Sequence, residues 1–279
     1  MDALEDRSPR PSRVWNRIPD EVREKVVPLA LNEPELSARE LAVRFTDQQS
    51  YFVSEASVYR LLKAQDLIPS PASIVMKAAD EFHDKTTAPH QLWQTDFTYL
   101  KVIGWGWFSL STVLDDDSRY ILAWKLCTTM RAQDVTDTLV LALEASGLDQ
   151  ATGAHRPRLL SDNGSSYISG ELARWLGREK REPVRGAPNH PQTQGKIERW
   201  HQTLKNRILL ETDDLPGDLE APVSAFVEPY NRQRYHESVN TLTPADVYFR
   251  RGPAILLERE RIKRKTILHR RLQHHTQAA

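Results

Sequence analysis

Three carboxylates stand where a folded chain could gather them. Asp96 lies inside the β-rich run LWQTDFTYLKV, Asp162 ends the apolar run PRLLSDNG, and Glu198 falls in the first turn of a helix beginning near Lys196. Carboxylate oxygens suit a hard cation such as Mg²⁺ or Mn²⁺, which also takes water and phosphate oxygens into its shell. Two such ions about 3.5–4 Å apart can activate an attacking oxygen and stabilise a leaving one in an in-line phosphoryl transfer. Spacing alone is weak evidence: with 38 acids among 279 residues, about four or five acidic pairs separated as Asp162 and Glu198 are arise by chance. Each acid also has an ordinary reading. Asp162 can be an Asx-turn residue ahead of Asn163-Gly164, and Glu198 a solvated helix-start acid. An aspartate inside a strand, Asp96, is the hardest to explain that way.

Other side chains compete with these acids or support them. Asp115, Asp116 and Asp117 end the strand next to that of Asp96 and are rival ligands, although a turn of solvated aspartates before Ser118-Arg119 is the simpler reading. Lys205 sits two helical turns after Glu198 on the same face, where its ammonium can hold a phosphate or can simply be solvated. Gln194 and Gly195 belong to the Pro-flanked loop APNHPQTQG, which either approaches DNA closely or is an ordinary loop. Asn163 either orients Asp162 or only forms the turn. The histidines show no compact metal-ligand spacing.

The elements that must position these residues follow from periodicity. LWQTDFTYLKV, WFSLSTVLDDD and RYILAWKLCTT alternate as strands and predict an antiparallel meander. Helical spacing follows from Gln133 to Ser146, then the short strand of PRLLSDNG, a helix over Gly170 to Lys180, a strand near Val184 and a long helix from Lys196 to Leu210. Strands first and alternating α and β afterwards predict an α/β fold, a mixed sheet with helices on its faces. Six of the seven tryptophans lie between Trp93 and Trp200, marking this stretch as the main core.

Ahead of it, Pro19-Asp20-Glu21 opens a helix through about Leu31 with acids in its first turn. Ser37-Ala38-Arg39-Glu40 is a capping box for a second helix, and Ser54 caps a third that carries Val58, Leu61 and Leu62 on one face. These helices suggest a helix-turn-helix presenting Ser57, Arg60 and Lys63 to DNA, or else a small bundle without DNA contact. The connection between helices two and three is longer than the usual three or four residues. The expected divisions are a disordered lead-in (1–18), a helix-turn-helix domain (19–68), a linker (69–89), the catalytic core (90–211), its helical extension (212–250) and a basic tail (251–279).

Lys and Arg total 38 and balance 38 acids, so whole-chain charge points to no nucleic-acid or membrane partner. The local distribution differs: Arg250 to Arg271 carries nine basic residues against two acids, whereas Gln91 to Gly170 carries six against nine. The tail shows helical spacing at Ile262, Ile267 and Leu272, with basic residues suited to nonspecific phosphate contact. One cysteine, Cys127, excludes an internal disulfide and a Cys-based zinc knuckle, and fits a reducing cytoplasm. No signal-like or membrane-spanning stretch of about 18 apolar residues occurs.

TDFTYL around Asp96, SDNGSSY around Asp162 and NHPQTQGKIERWHQTLK around Glu198, with 35 residues between the last two acids, together resemble the DDE catalytic core of retroviral integrases and bacterial insertion-sequence transposases. YNRQRYHESVNTLTPADVY, residues 230–248, is similar to the segment closing that region in integrase-like insertion-sequence transposases. The likeness is strong over residues 88–250 and looser over the N-terminal helices. It implies an RNase H-like fold: a five-stranded mixed sheet flanked by helices, preceded by a helix-turn-helix and followed by a basic helical tail. It further implies Mg²⁺ or Mn²⁺, two ions in the active complex, held by Asp96, Asp162 and Glu198. The implied activity is cleavage of element ends followed by 3′-hydroxyl strand transfer into target DNA, with no covalent protein–DNA intermediate. Expected partners are double-stranded DNA, further copies of the chain on that DNA, and a companion DNA-binding protein from an upstream frame, with no membrane; the expected location is the bacterial cytoplasm, at the nucleoid. The lone cysteine cannot supply the His/Cys zinc module of retroviral integrases, which favours the transposase branch. The alternatives are a nuclease of the same fold that only hydrolyses nucleic acid, and an inactive DNA-binding relic.

Overall fold

A computed structural model describes residues 14–68, 86–102, 106–149, 156–162, 164–178, 183–185, 195–211 and 219–276. The expected lead-in through residue 13, the linker over 69–85, Asn163 and the loop containing Gln194 lie outside the described residues. The chain divides into two compact units, Met1–Val75 with Gly252–Ala279, and Met76–Arg251. None of the described helices is long and apolar enough to cross a membrane.

The first unit is helical. α1 (Asp20–Asn32), α2 (Ala38–Gln49) and α3 (Glu55–Ala64) enclose Val26, Leu41, Phe45, Val53, Val58 and Leu62. Their starts are set locally. Ser37 and Glu40 form the reciprocal capping box, and the Ser54 hydroxyl accepts the Ser57 backbone N–H. That arrangement corrects one expectation, because the Ser57 hydroxyl also pairs with Ser54 at 2.8 Å and is occupied at the cap rather than presented outward. The C-terminal segment is the long helix α10 (Gly252–Thr276), and it packs on α2 and the turn after it. Arg259 meets Asp47 through two bonds of 2.8 and 2.7 Å, and Arg270 donates to the Tyr51 hydroxyl and the Phe52 carbonyl. Leu272 is 56% exposed.

The second unit is a five-stranded sheet of order β3-β2-β1-β4-β5. β1 (Leu92–Val102), β2 (Gly106–Asp115) and β3 (Ile121–Cys127) form the antiparallel meander, while β4 (Arg158–Ser161) and β5 (Pro183–Arg185) run parallel to β1. Each face of the sheet carries its own core. On one, α4 (Ala132–Ser146) and α6 (Gly170–Arg178), with the short α5 (Ser165–Ile168) between them in sequence, pack Leu139 and Leu172 with Trp93, Val113 and Leu159 of the sheet. Gly147, at φ 69°, closes α4 in the left-handed conformation that glycine adopts without strain. On the other face, α7 (Gly195–Glu211) and α8 (Glu220–Arg232) cover Leu100, Leu110 and Leu114. Ile197, Trp200 and Leu204 recur at helical spacing and are fully buried, which seats α7 on the sheet. Trp200 stacks on Phe226 and meets Tyr230 edge-on at 4.5 Å. Asn231 closes the edge at β3, accepting from the Ile121 N–H and donating to its carbonyl. The short α9 (Pro244–Tyr248) follows, started by a Thr243–Asp246 capping box.

Candidate active site

Strand alternation decides where Asp96 points. Residues 93, 95 and 97 share one side of β1 and residues 94, 96, 98 and 100 the other; Trp93 lies in the α4-side core and Leu100 in the α7-side core. Asp96 therefore faces α7, opposite Thr112 of β2 in the ladder. There its Oδ2 lies 3.6 Å from Nδ1 of His201, whose Nε2 is 3.4 Å from the Thr112 hydroxyl. Glu198 stands on α7 one turn before His201, with its side chain exposed. Asp162 follows the last residue of β4, the parallel neighbour of β1, and its Oδ1 accepts the Gly164 N–H at 2.9 Å.

The electrostatics tie the three acids together through Asp96. Partial burial and then the Asp96 charge raise the Asp162 carboxyl above its ordinary value, against the Gly164 N–H. Burial and then Asp96 likewise raise Glu198, opposed by His201. Tyr167, buried with its ring 6.0 Å from Phe97, is pushed well up by desolvation and feels both Asp96 and Asp162. Among the described residues no lysine or arginine pairs with any of the three acids. Mutually repelling carboxylates without a cation are the donor chemistry that a hard divalent ion neutralises. In this arrangement no three His, Cys, Asp or Glu side chains among the described residues already stand close enough to hold a metal ion.

The remaining candidates are distributed differently. Lys205 is half-buried on α7, and Gly195 opens that helix at an exposed position. Asn163 and Gln194 lie outside the described residues. Arg60 and Lys63 are exposed on α3 in the helical unit, Arg60 donating to the Ala56 carbonyl at 2.9 Å.

The aspartates after β2 form no solvated turn. Asp115 is fully buried and accepts from the Ser118 N–H and hydroxyl and the His90 N–H; desolvation nevertheless holds its carboxyl above the usual range. Asp116 is buried and bonded to Gln94, Thr86 and Lys196. Their oxygens are spent on the protein itself, which removes these two as rival ligands. Sequence reasoning missed His201, Gln94 and Tyr167. Spacing could have flagged two of them: His201 is one turn beyond Glu198, and Gln94 shares the face of Asp96 on β1.

Comparison with known proteins places this architecture. The family described as Integrase core domain matches residues 86–191, a second model of the same description matches 180–244, and a Homeodomain-like domain matches 1–62. The chain is 24% identical over 168 residues to the transposase for insertion sequence element IS904 of Lactococcus lactis, a match covering 58% of this chain and 62% of that protein. It is 27% identical over 160 residues to transposase InsF for insertion sequence IS3A of Escherichia coli, covering 57% and 54%. In fold it is similar to a chain of the simian T-cell lymphotropic virus intasome complexed with PP2A regulatory subunit B56 gamma, with a TM-score of 0.52, 16% identity and 74% of each chain covered. The sheet, its helices and these matches define an integrase core domain. Residues 86–244 belong to the Integrase core domain family. The matched region spans less than two thirds of either curated transposase.

Proposed function

We propose that the chain is a DNA transposase or integrase in which Asp96, Asp162 and Glu198 are the catalytic acids. The observation that supports this reading best is the placement of the three acids on adjoining elements: Asp96 on β1 faces α7 and meets His201 there, Asp162 ends the strand paired beside β1, and Glu198 lies one turn before His201. The three carboxylates would hold Mg²⁺ or Mn²⁺, two ions in the active complex. When bound, such ions supply an acidified water and neutralise charge on the scissile phosphate. The chain's own part is to hold the acids in register and to grip DNA. Lys205, Asn163, Gln194 and Gly195 serve the DNA beside the acids, and Arg60 and Lys63 of α3 serve duplex reading by the helical unit. The reaction is end cleavage followed by attack of the freed 3′-hydroxyl on a target phosphodiester, each a phosphoryl transfer that exchanges one P–O bond for another. The substrates are the element's terminal repeats and target duplex, engaged by more than one copy of the chain.

A nuclease of the same fold would hydrolyse these DNAs without joining them. Incubation of the chain with terminal-repeat duplex, target plasmid and Mg²⁺ separates the two. The expected result is joined product; cleavage without any joining would establish the nuclease reading instead.

A further inference from the structure

We infer that Gln94, Asp116 and Lys196 form a positioning clamp that sets the start of α7 against β1 and so fixes Glu198 relative to Asp96. The inference rests on the reading of Asp96, Asp162 and Glu198 as the catalytic acids.

The clamp is built from short, directional bonds at the point where α7 begins. The first amides of a helix have no acceptor within it and must find one elsewhere. The Ile197 N–H finds it in the Gln94 side chain, whose Oε1 lies 3.2 Å away. The same amide group donates through Nε2 to Asp116 Oδ1 at 2.6 Å, so both ends of Gln94 are committed while the residue is 1% exposed. Asp116 accepts Thr86 Oγ1 at 2.6 Å and Lys196 Nζ at 2.7 Å on its other oxygen, and Nζ also reaches the Asp116 carbonyl at 2.7 Å. Two consecutive residues of α7 are thereby tied to the end of β2 and to β1.

The location of these ties gives them their consequence. Gln94 precedes Asp96 by two positions on the same face of β1, and Ile197 immediately precedes Glu198. Apolar burial of Ile197, Trp200 and Leu204 holds α7 on the sheet, but it is non-directional and leaves the position along the helix axis loosely set. The bonds from Gln94 and Lys196 fix that position. A buried ion pair can specify an arrangement, and this one sets the acid geometry as well as contributing to the fold.

Lys196 is the informative site because its side chain is 34% exposed and can be replaced without opening the core. In the full-length chain, free of DNA, Mn²⁺ binding is measured by titration calorimetry for the parent, Lys196→Met, Lys196→Arg and Asp162→Asn. Unfolding midpoints and terminal-repeat affinity are measured alongside. Lys196→Met is expected to weaken Mn²⁺ binding and to raise the Mn²⁺ concentration for half-maximal end cleavage, both at least tenfold. Because Asp116 is buried and loses its cation, the midpoint of Lys196→Met should also fall, so binding is compared at a temperature where every variant is fully folded; DNA affinity should be unchanged there, and Lys196→Arg should recover most of both losses. Gln94→Leu should repeat the pattern by removing the tie to Ile197. If Asp162→Asn loses Mn²⁺ while Lys196→Met binds it as the parent does, the clamp is overturned and the catalytic acids stand. If the parent binds no Mn²⁺, or Asp162→Asn binds it equally well, the reading of the acids fails and the clamp falls with it.

Discussion

At Asp162 the room for a carboxylate is set by the residue two positions on. A Cβ added at Gly164 would meet Asp162 Oδ1 at 3.0 Å and Oδ2 at 3.3 Å, with no backbone in the way. The side chain would swing aside at small cost to folding, and the acid would leave its place near Asp96. Gly164→Ala is therefore expected to lower end cleavage about tenfold or more, roughly 1.4 kcal/mol of barrier, with unfolding and DNA binding nearly unchanged; a parent-like rate would show that this placement is unimportant. His236 offers a test away from the acids. Burial, reinforced by Arg119, Arg234 and Arg199, lowers its pKa from 6.5 to about 3. The native state thus keeps the ring neutral while the unfolded chain takes up a proton below 6.5, so this stability is complete above 6.5 and drains as the pH falls towards 3. His236→Gln should flatten the loss by up to one proton, about 1.4 kcal/mol per pH unit, in denaturant unfolding at stepped pH. Equal slopes for variant and parent would contradict the assignment. The three acids could be singled out in the sequence, and their role proposed, because motif and strand alternation are local properties. His201 could be flagged by its spacing from Glu198, but its contact with Asp96 could not, because that carboxylate lies more than a hundred positions away and meets it across α7 and β1.

Among the elements, α10 shows most clearly what periodicity misses. Counting only apolar residues selects Ile262, Ile267 and Leu272; the two isoleucines are half-buried, but Leu272, like Leu257 and Leu268, is more than half exposed. The face that packs runs through Arg259, Lys263, Thr266 and Arg270, at spacings of three and four residues. It docks by polar bonds: Thr266 Oγ1 accepts the Phe52 N–H, and the Arg270 guanidinium lies 4.9 Å from the Tyr51 ring centroid. No single-sequence pattern reveals such a face, because its partners are about two hundred residues distant. The caps of α2 and α3, in contrast, were legible because each involves residues three positions apart. Arg270→Ala removes two charge-assisted bonds and leaves the Phe52 carbonyl without its guanidinium donor. It should destabilise the helical unit by about 2–4 kcal/mol in chemical denaturation, whereas Arg264→Ala, at an exposed position paired only along the helix with Glu260, should change it by less than about 0.5 kcal/mol. Equal effects would show that α10 is not held through Arg270. The aspartates after β2 carry the same lesson: Asp115 and Asp116 looked like a solvated turn until the backbone of His90 and the side chains of Gln94 and Lys196 came to meet them.

For the whole molecule, a formal charge of zero conceals parts of opposite character. Within the sheet unit, residues 91–170 carry nine acids against six bases, while α3 and α10 of the helical unit carry exposed bases such as Arg60, Lys63, Arg261 and Lys265. If the bases of α3 meet phosphates, affinity for terminal-repeat DNA should fall steeply with salt, and Lys63→Ala should reduce the slope of log affinity against log salt by about one. An unchanged slope would remove α3 from the interface. The order of the longer strands and helices in the sheet unit was readable from hydrophobic period, whereas α5 and α9, at four and five residues, are too short to show one. The two-part composition of the helical unit was not readable, because it joins the two ends of the chain. The central claim, that the acids joined in one field are the catalytic set, is tested most directly by scoring joined product from terminal-repeat and target DNA for Asp96→Asn, Asp162→Asn and Glu198→Gln beside the parent. Each substitution should abolish joining while terminal-repeat binding persists; joining at the parent rate by any one of them would contradict the account.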